Sequence, residues 1–400
     1  MSEQRISVII PSLDRGGTET QLLAVLPRLA HLGFHVDLVT LAEPGALAQA
    51  FREEGIPVHG LLGSKSVSRS MPRFLIGLIS LPALVFWLRA QRPEFVHTFL
   101  PLAGIVGGLA ALVCRSPHLI TSRRNRNFYQ RRYPLAGFME RSINRCAQAV
   151  VANSRQVVGD LIGEGVSRER IVLIHNGVRR TSTSLNRDAA RLQLNLDQGC
   201  LVFVVVANLI AYKGHSDLLE AFALAAPEIK ADWRLLLVGR DDGIGAQLRA
   251  QALNNGFADR VTFAGECADV RPYVTASDIG ILPSHEEGFS NAVLEGMEAG
   301  LAMVATNVGG NAEALEDGRC GLIVPSRAPK LLAAAIVRLA LDPDLRKALG
   351  MAARKRAHEH FDIDQAAGHL AALYSSLQNG ESVPAHLAGY GCSGDASSAR

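Results

Sequence analysis

Apolar runs recur along this chain, each ending in a polar or glycine-bearing turn. RISVIIPS opens it, DRGGTE follows, TQLLAVLPRLAHLG carries apolar residues at helical spacing, and HVDLVTL is apolar again. Strand, turn, helix and strand in that order, with strands apolar on both faces, predict a parallel sheet covered by helices on either side. EFVHTFL, HLITS and AVVANS read as further strands of that sheet.

The alternation stops at the polar stretch RRTSTSLNRDAAR, Arg179 to Arg191, and restarts with CLVFVVVANL. WRLLLVGR, RVTFAGE, IGILPS and LAMVATNV then supply strands, with helices such as SDLLEAFALAA between them. The interruption predicts a boundary between two doubly wound domains, 1–185 and 186–362. The ordered chain is expected to close with the helices DPDLRKALGMAARKRAHEH and IDQAAGHLAALYSSLQ. Beyond them, 379–400 is rich in Gly, Ser and Ala without sustained periodicity, the composition of a disordered tail.

Composition agrees with two globular domains: 400 residues, 48% hydrophobic and 20% charged. A net charge of +3 is far from the basic excess of a dedicated nucleic-acid binder. Six cysteines without a CxxC pair indicate neither a zinc site nor a disulfide framework, and fit a reducing cytoplasm. The N-terminus runs directly into a strand, so no signal peptide is expected. One segment stands apart. FLIGLISLPALVFWL, residues 74–88, is a largely apolar run that contains Gly77, Ser80 and Pro82 and is shorter than the roughly 20 residues of a spanning helix.

Candidate chemistry lies in the strand-to-helix turns. Gly16 and Gly17, in DRGGTE, bring bare backbone N–H groups to a helix N-terminus, which suits a phosphate or simply a tight turn. Asn208 and Lys213, in ANLIAYKGH, follow the first strand of the second half. Lys213 there is a point charge for a phosphate or a solvated helix entry. In HEEGFSNAVLEGMEAG, Glu287 falls on a loop, Gly288 and Phe289 offer backbone N–H groups, Ser290 or Asn291 can cap the next helix, and Glu295 lies in its first turns. Two carboxylates beside bare N–H donors suit the hydroxyls of a sugar or ribose. Taken singly, each acid also reads as an ordinary surface or helix-dipole residue. A third glycine turn, NVGGNAE, occupies the same edge.

Together, GGTE, IVLIHNGV, LIAYKGH, LLLVG, VTFAGECADVRPYVTASDIGILPS and EGFSNAVLEGMEAGLAMVATNVGGNAE resemble, in order and over residues 5 to 377, the retaining glycosyltransferases of family 4. Glu287 to Glu295 matches that family's E-x7-E motif. The resemblance implies the GT-B fold, two Rossmann-like doubly wound parallel-sheet domains facing a cleft, with helix 363–378 packing back on the first. It implies metal-independent transfer from a nucleotide-diphosphate sugar, with no cofactor, to an acceptor bound by the N-terminal domain. Glu287 with the Gly288 and Phe289 amides would hold the donor sugar, Glu295 the ribose, and Lys213 with Gly16 and Gly17 the diphosphate. The chain departs from the pattern at Asn208, where relatives carry arginine, and Arg240, after Gly239, is the candidate substitute. Arg123, Arg124 and Asn125 occupy the region where relatives place a histidine, leaving His97 as either a catalytic cleft histidine or a buried structural one.

The arginine-rich RRNRNFYQRR, including Arg123, Arg124 and Arg126, and Arg69 and Arg73 before the apolar run form a candidate acceptor or anionic-membrane surface. The competing reading is a core helix with a solvated loop. The expected protein is cytoplasmic, peripheral on the inner membrane face, and acts on a saccharide or lipid-linked acceptor in lipopolysaccharide, capsule or exopolysaccharide biosynthesis. A nucleotide-sugar epimerase and a non-catalytic nucleotide-sugar binder are the alternatives.

Overall fold

A computed structural model of the chain describes residues 4–62, 73–126, 130, 132–180 and 186–389. It forms two compact units, Met1–Asn176 with Ile363–Arg400, and Gly177–Asp362.

The first unit is built on seven parallel strands: β1 (Gln4–Ile10), β2 (Phe34–Thr40), β3 (Val58–Gly60), β4 (Phe95–Phe99), β5 (His118–Arg123), β6 (Ala149–Ala152) and β7 (Ile171–Leu173), in the order β3-β2-β1-β4-β5-β6-β7. The second holds β8 (Leu201–Val206), β9 (Trp233–Val238), β10 (Val261–Gly265), β11 (Ile279–Leu282), β12 (Ala302–Thr306) and β13 (Leu322–Val324), in the order β10-β9-β8-β11-β12-β13. All named pairings are parallel. Each chain reversal in strand order leaves a switch point, β1/β4 in one unit and β8/β11 in the other, where open α/β sheets hold ligands at their carboxyl ends.

Central strands are buried on both faces, which explains their continuous apolar runs: Val202, Phe203, Val204 and Val205 of β8 are all buried. Helices cover both sides. In the first unit, Leu22, Val25, Leu26 and Leu29 of helix Gly17–His31 face Leu370, Leu373 and Tyr374 of helix Ile363–Gln378 in a single core. The i, i+3, i+4 spacing of Ala366, Ala367, Leu370, Leu373, Tyr374 and Leu377 gives this last helix its buried face. Each such fully buried Leu contributes about 1.5–3 kcal/mol.

Two features differ from expectation. The chain passes between units at Asn176–Gly177, upstream of the polar stretch, because Val178 donates its N–H to the Phe361 carbonyl at 2.7 Å and bridges Asp362. Residues 379–389 of the expected tail are packed: Leu387 is buried in the first core and Ala388 bridges Val172. One apolar side chain and a strand edge suffice to hold the segment. Residues 390–400 lie outside those described.

Candidate active site

In the second unit, β8 leads into the short turn Ala211–Lys213 and then helix His215–Ala225. Gly214 joins them at φ +72, and a Cβ there would run into the Pro283 carbonyl. Only glycine lets this turn lie against the loop after β11. His285 N–H in turn bonds the Tyr212 carbonyl at 2.7 Å, and the His285 ring meets Asp217 at 2.9 Å. These contacts hold Lys213 over the loop that carries Glu287.

Lys213 Nζ lies 2.7 Å from Glu287 Oε1, and Ser284 Oγ donates to the same oxygen at 2.6 Å. Burial works against the charge on Lys213, but the facing Glu287 carboxylate outweighs it and raises the lysine pKa. Behind this pair His215 is fully buried, and burial, aided by Lys213, pushes its pKa down to about 4. The imidazole is therefore neutral at physiological pH.

The Glu287 loop is fixed from the other side too. Thr306 Oγ1 donates to the Ser284 carbonyl at 2.6 Å, and Gly310 N–H bonds the Gly288 carbonyl at 2.7 Å. Gly309, at φ +56, leaves no room for a Cβ against the Glu287 and Gly288 carbonyls. The third glycine turn thus braces the acidic loop.

Phe289 is buried against Phe361, ring centroids 5.3 Å apart. Ser290 caps helix Asn291–Glu298 by accepting from the Val293 N–H at 3.4 Å. Asn291 opens that helix and Glu295 lies one turn on. Among the described residues Glu295 has neither hydrogen-bond nor ion-pair partner, and burial pushes its carboxyl up to about 7. Half-buried, the carboxylate keeps acceptor capacity that the protein does not use.

Asn208, Gly239 and Arg240 form a separate knot at the ends of β8 and β9. Asn208 Oδ1 accepts from the Arg240 N–H at 3.2 Å, its Nδ2 reaches Asp242 at 3.2 Å, and Arg240 Nε meets Asp242 at 2.7 Å. Gly239 packs onto the Ala207 carbonyl. Asp242 already offsets the charge of Arg240, which the sequence pattern did not reveal.

The first unit behaves differently. Gly16 caps helix Gly17–His31 in an extended conformation, and the Glu19 carboxylate folds back over it. Burial pushes the Glu19 carboxyl up to about 7, with its own backbone N–H pulling down, Asp14 adding to the rise and Arg124 opposing it. The expected diphosphate turn therefore already holds an acid.

His97, the candidate cleft histidine, lies wholly inside the first unit. It is completely buried, with Nδ1 2.6 Å from the Tyr374 hydroxyl and Nε2 2.8 Å from Ser122 Oγ, and burial holds its pKa down at about 3. Both ring nitrogens are used by the protein.

The arginine surface also needs correcting. Arg123 is buried between Glu140 and Glu164, each at 3.2 Å, and Arg126 pairs with Asp160 at 3.3 Å. Arg124 hydrogen-bonds Asn176 at 2.7 Å and lies 5.3 Å over the Phe99 ring. Burial lowers its pKa to about 10. Arg123 is thus an interior group and no part of an outward rim, while Arg124 and Arg126 are half-buried against an amide and an acid. Arg69 and the Arg73 side chain lie outside the described residues. No group of three His, Cys, Asp or Glu suited to a metal occurs among the described residues.

Comparison with known proteins agrees with this architecture. Residues 16–177 match the family model "Glycosyl transferase 4-like domain", and residues 200–342 match "Glycosyl transferases group 1". The chain is 30% identical over 364 residues to a D-inositol 3-phosphate glycosyltransferase of Acidothermus cellulolyticus, covering 84% of this chain and 80% of that one. HepE of Anabaena, solved with UDP and glucose, superposes with a TM-score of 0.81 at 22% identity, covering 94% and 100% of the two chains. WaaG, a glycosyltransferase of lipopolysaccharide biosynthesis, superposes at 0.73 and 17% identity, covering 91% and 99%.

Proposed function

This chain belongs to the family-4-type glycosyltransferases of GT-B fold, and from that premise we propose that it transfers a sugar, with retention of configuration, from a nucleotide-diphosphate sugar bound by its second unit. The observation that carries the reading is the grouping on one loop and helix of the second sheet's carboxyl edge: Glu287 paired to Lys213, and Glu295 without a partner.

The pair suggests how the donor is received. A diphosphate brings negative charge to Lys213 and competes with Glu287 for it, which frees the carboxylate to accept from sugar hydroxyls. Ribose hydroxyls supply Glu295 with the donors it lacks. As the C1–O bond to the diphosphate breaks, the acceptor oxygen bonds to C1 on the same face, and its proton passes to the departing phosphate oxygen. Lys213 stabilises the charge on that leaving group, so no protein nucleophile, metal or cofactor is required. Glu287 positions the donor.

The acceptor is a saccharide or lipid-linked saccharide held by the first unit, in the synthesis of a surface polysaccharide such as lipopolysaccharide, capsule or exopolysaccharide. The enzyme works in the cytoplasm, peripheral to the anionic inner face of the membrane. WaaG supports this class by its pathway, whereas the Acidothermus relative's name points to an inositol phosphate.

A donor panel with purified protein tests the reading. Release of nucleoside diphosphate on adding acceptor, insensitive to chelator and giving a product of unchanged anomeric configuration by NMR, is expected. Interconversion of the donor sugar without release would make it an epimerase, and binding without turnover a sensor. Offering inositol phosphate beside saccharide acceptors separates the two acceptor classes.

A further inference from the structure

We propose that the outer surface of three neighbouring helices in the first unit, Arg73–Gln91, Pro101–Cys114 and Pro134–Cys146, docks on an anionic lipid bilayer; this rests on the reading of a lipid-linked acceptor.

The three helices cross from β3 to β4, β4 to β5 and β5 to β6, and pack side by side on one face of the sheet. Their inner sides are core: Leu84, Leu88, Ala103, Val106, Ala110 and Ile143 are buried together. Their outer sides are apolar as well. Leu78 is 68% exposed, Phe86 77%, Val113 57%, and Phe138 at the start of the third helix 61%. Half of the large exposed apolar side chains among the described residues fall on these helices or the caps beside them. Elsewhere they lie ten or more positions apart along the chain.

Charge selects the occupant. Residues 73–146 contain eleven arginines against two glutamates, and although Arg123 and Arg126 are taken up by Glu164 and Asp160 from outside the segment, the balance stays positive. One of the two acids, Glu140, is buried against Arg123, and the other, Glu94, is off the helices. These helices therefore present no outward carboxylate, while Arg89, Arg115, Arg132 and Arg145 are exposed around the apolar centre. A second copy of the same face would meet like charge, whereas anionic headgroups complement it, at about 1 kcal/mol per arginine. Among the described residues no helix is long and apolar enough to cross a membrane, and the first of these carries Pro82 inside it. The surface is built to lie on a bilayer.

A crossover helix begins at the carboxyl edge of its sheet, so Leu78 and Phe138, near helix starts, lie toward the edge where α/β sheets hold ligands. A lipid-anchored acceptor would reach that edge without leaving the membrane.

Flotation of the full chain with vesicles tests the proposal. The protein should float with phosphatidylcholine vesicles containing about one-third phosphatidylglycerol, and roughly tenfold less with phosphatidylcholine alone or in ~0.5 M salt. Phe86→Ser with Phe138→Ser should lower that partition about tenfold or more, leaving the thermal melt and nucleoside-diphosphate release with a water-soluble acceptor unchanged. Absence of flotation, or flotation unaffected by the two substitutions, overturns it. So does a concentration-dependent dimer in sedimentation that the substitutions abolish, which would give the face to a second copy. Flotation without turnover of any nucleotide sugar leaves the docking face standing and removes the transferase reading alone.

Discussion

In the middle of β4 of the first sheet, His97 has Tyr374 on one ring nitrogen and Ser122 on the other. At the carboxyl edge of the second, Glu295 is half-buried and has no partner among the described residues. Both are polar groups on elements next to a switch point of a parallel sheet. Their bonding separates them. A buried group whose capacity is consumed by the protein belongs to the fold, and one left over is a place for a ligand. The same test sorts Arg123 and Arg126 of the first unit, paired to acids of the fold, from Lys213, whose partner Glu287 is itself expected to change hands when donor binds.

The largest effect that sharpens this contrast is Arg123→Ala. It leaves Glu140 and Glu164 facing each other in the interior and should cost about 3–5 kcal/mol in urea unfolding, while donor affinity of the folded protein is unchanged. A surface role would instead give a small stability loss and a change in acceptor KM. Next is Lys213→Ala, expected to lower nucleoside-diphosphate release about 10²–10³-fold with the circular dichroism of the wild type. Activity within threefold of wild type would remove the lysine from the mechanism.

Tyr374→Phe strands His97 Nδ1 and should cost about 1–3 kcal/mol of stability without altering kcat. A larger fall in kcat than in stability would return His97 to the catalytic candidates. The smallest effect is in pH. Glu295 is raised to about 7 in the folded state from an unfolded value near 4.3. Between those values the folded chain binds the extra proton, so this contribution lowers stability as pH rises through the window. Glu295→Gln should therefore gain on wild type in urea titrations at about pH 8 and lose that gain by about pH 4. Glu19 and Glu140, also raised to about 7, keep part of the slope in the variant.

Much of the architecture was legible because buried parallel strands write long apolar runs: β1, β2, β4, β5, β6 and β8 to β12 all coincide with them. The three-residue strands β3, β7 and β13 are too short to leave a period. Residue types at the second sheet's edge were equally readable, since glycine turns and the Glu287 to Glu295 spacing are local. Partners were not. Lys213 and Glu287 are 74 positions apart, His97 and Tyr374 277, and only folding pairs them. The arginine run looked like an outward rim because sequence shows a cluster of charge without showing Glu140, Glu164 and Asp160 folded beneath it.

The central claim is that Glu287 and Glu295 grip different parts of one donor. Calorimetric titration of wild type, Glu287→Ala and Glu295→Ala with a nucleoside diphosphate and with its sugar conjugate tests it most directly. Glu295→Ala should weaken both ligands equally, by about tenfold or more, and Glu287→Ala should weaken the sugar conjugate selectively. Equal binding of both ligands to all three proteins, or loss of the bare diphosphate on Glu287→Ala alone, would contradict the account.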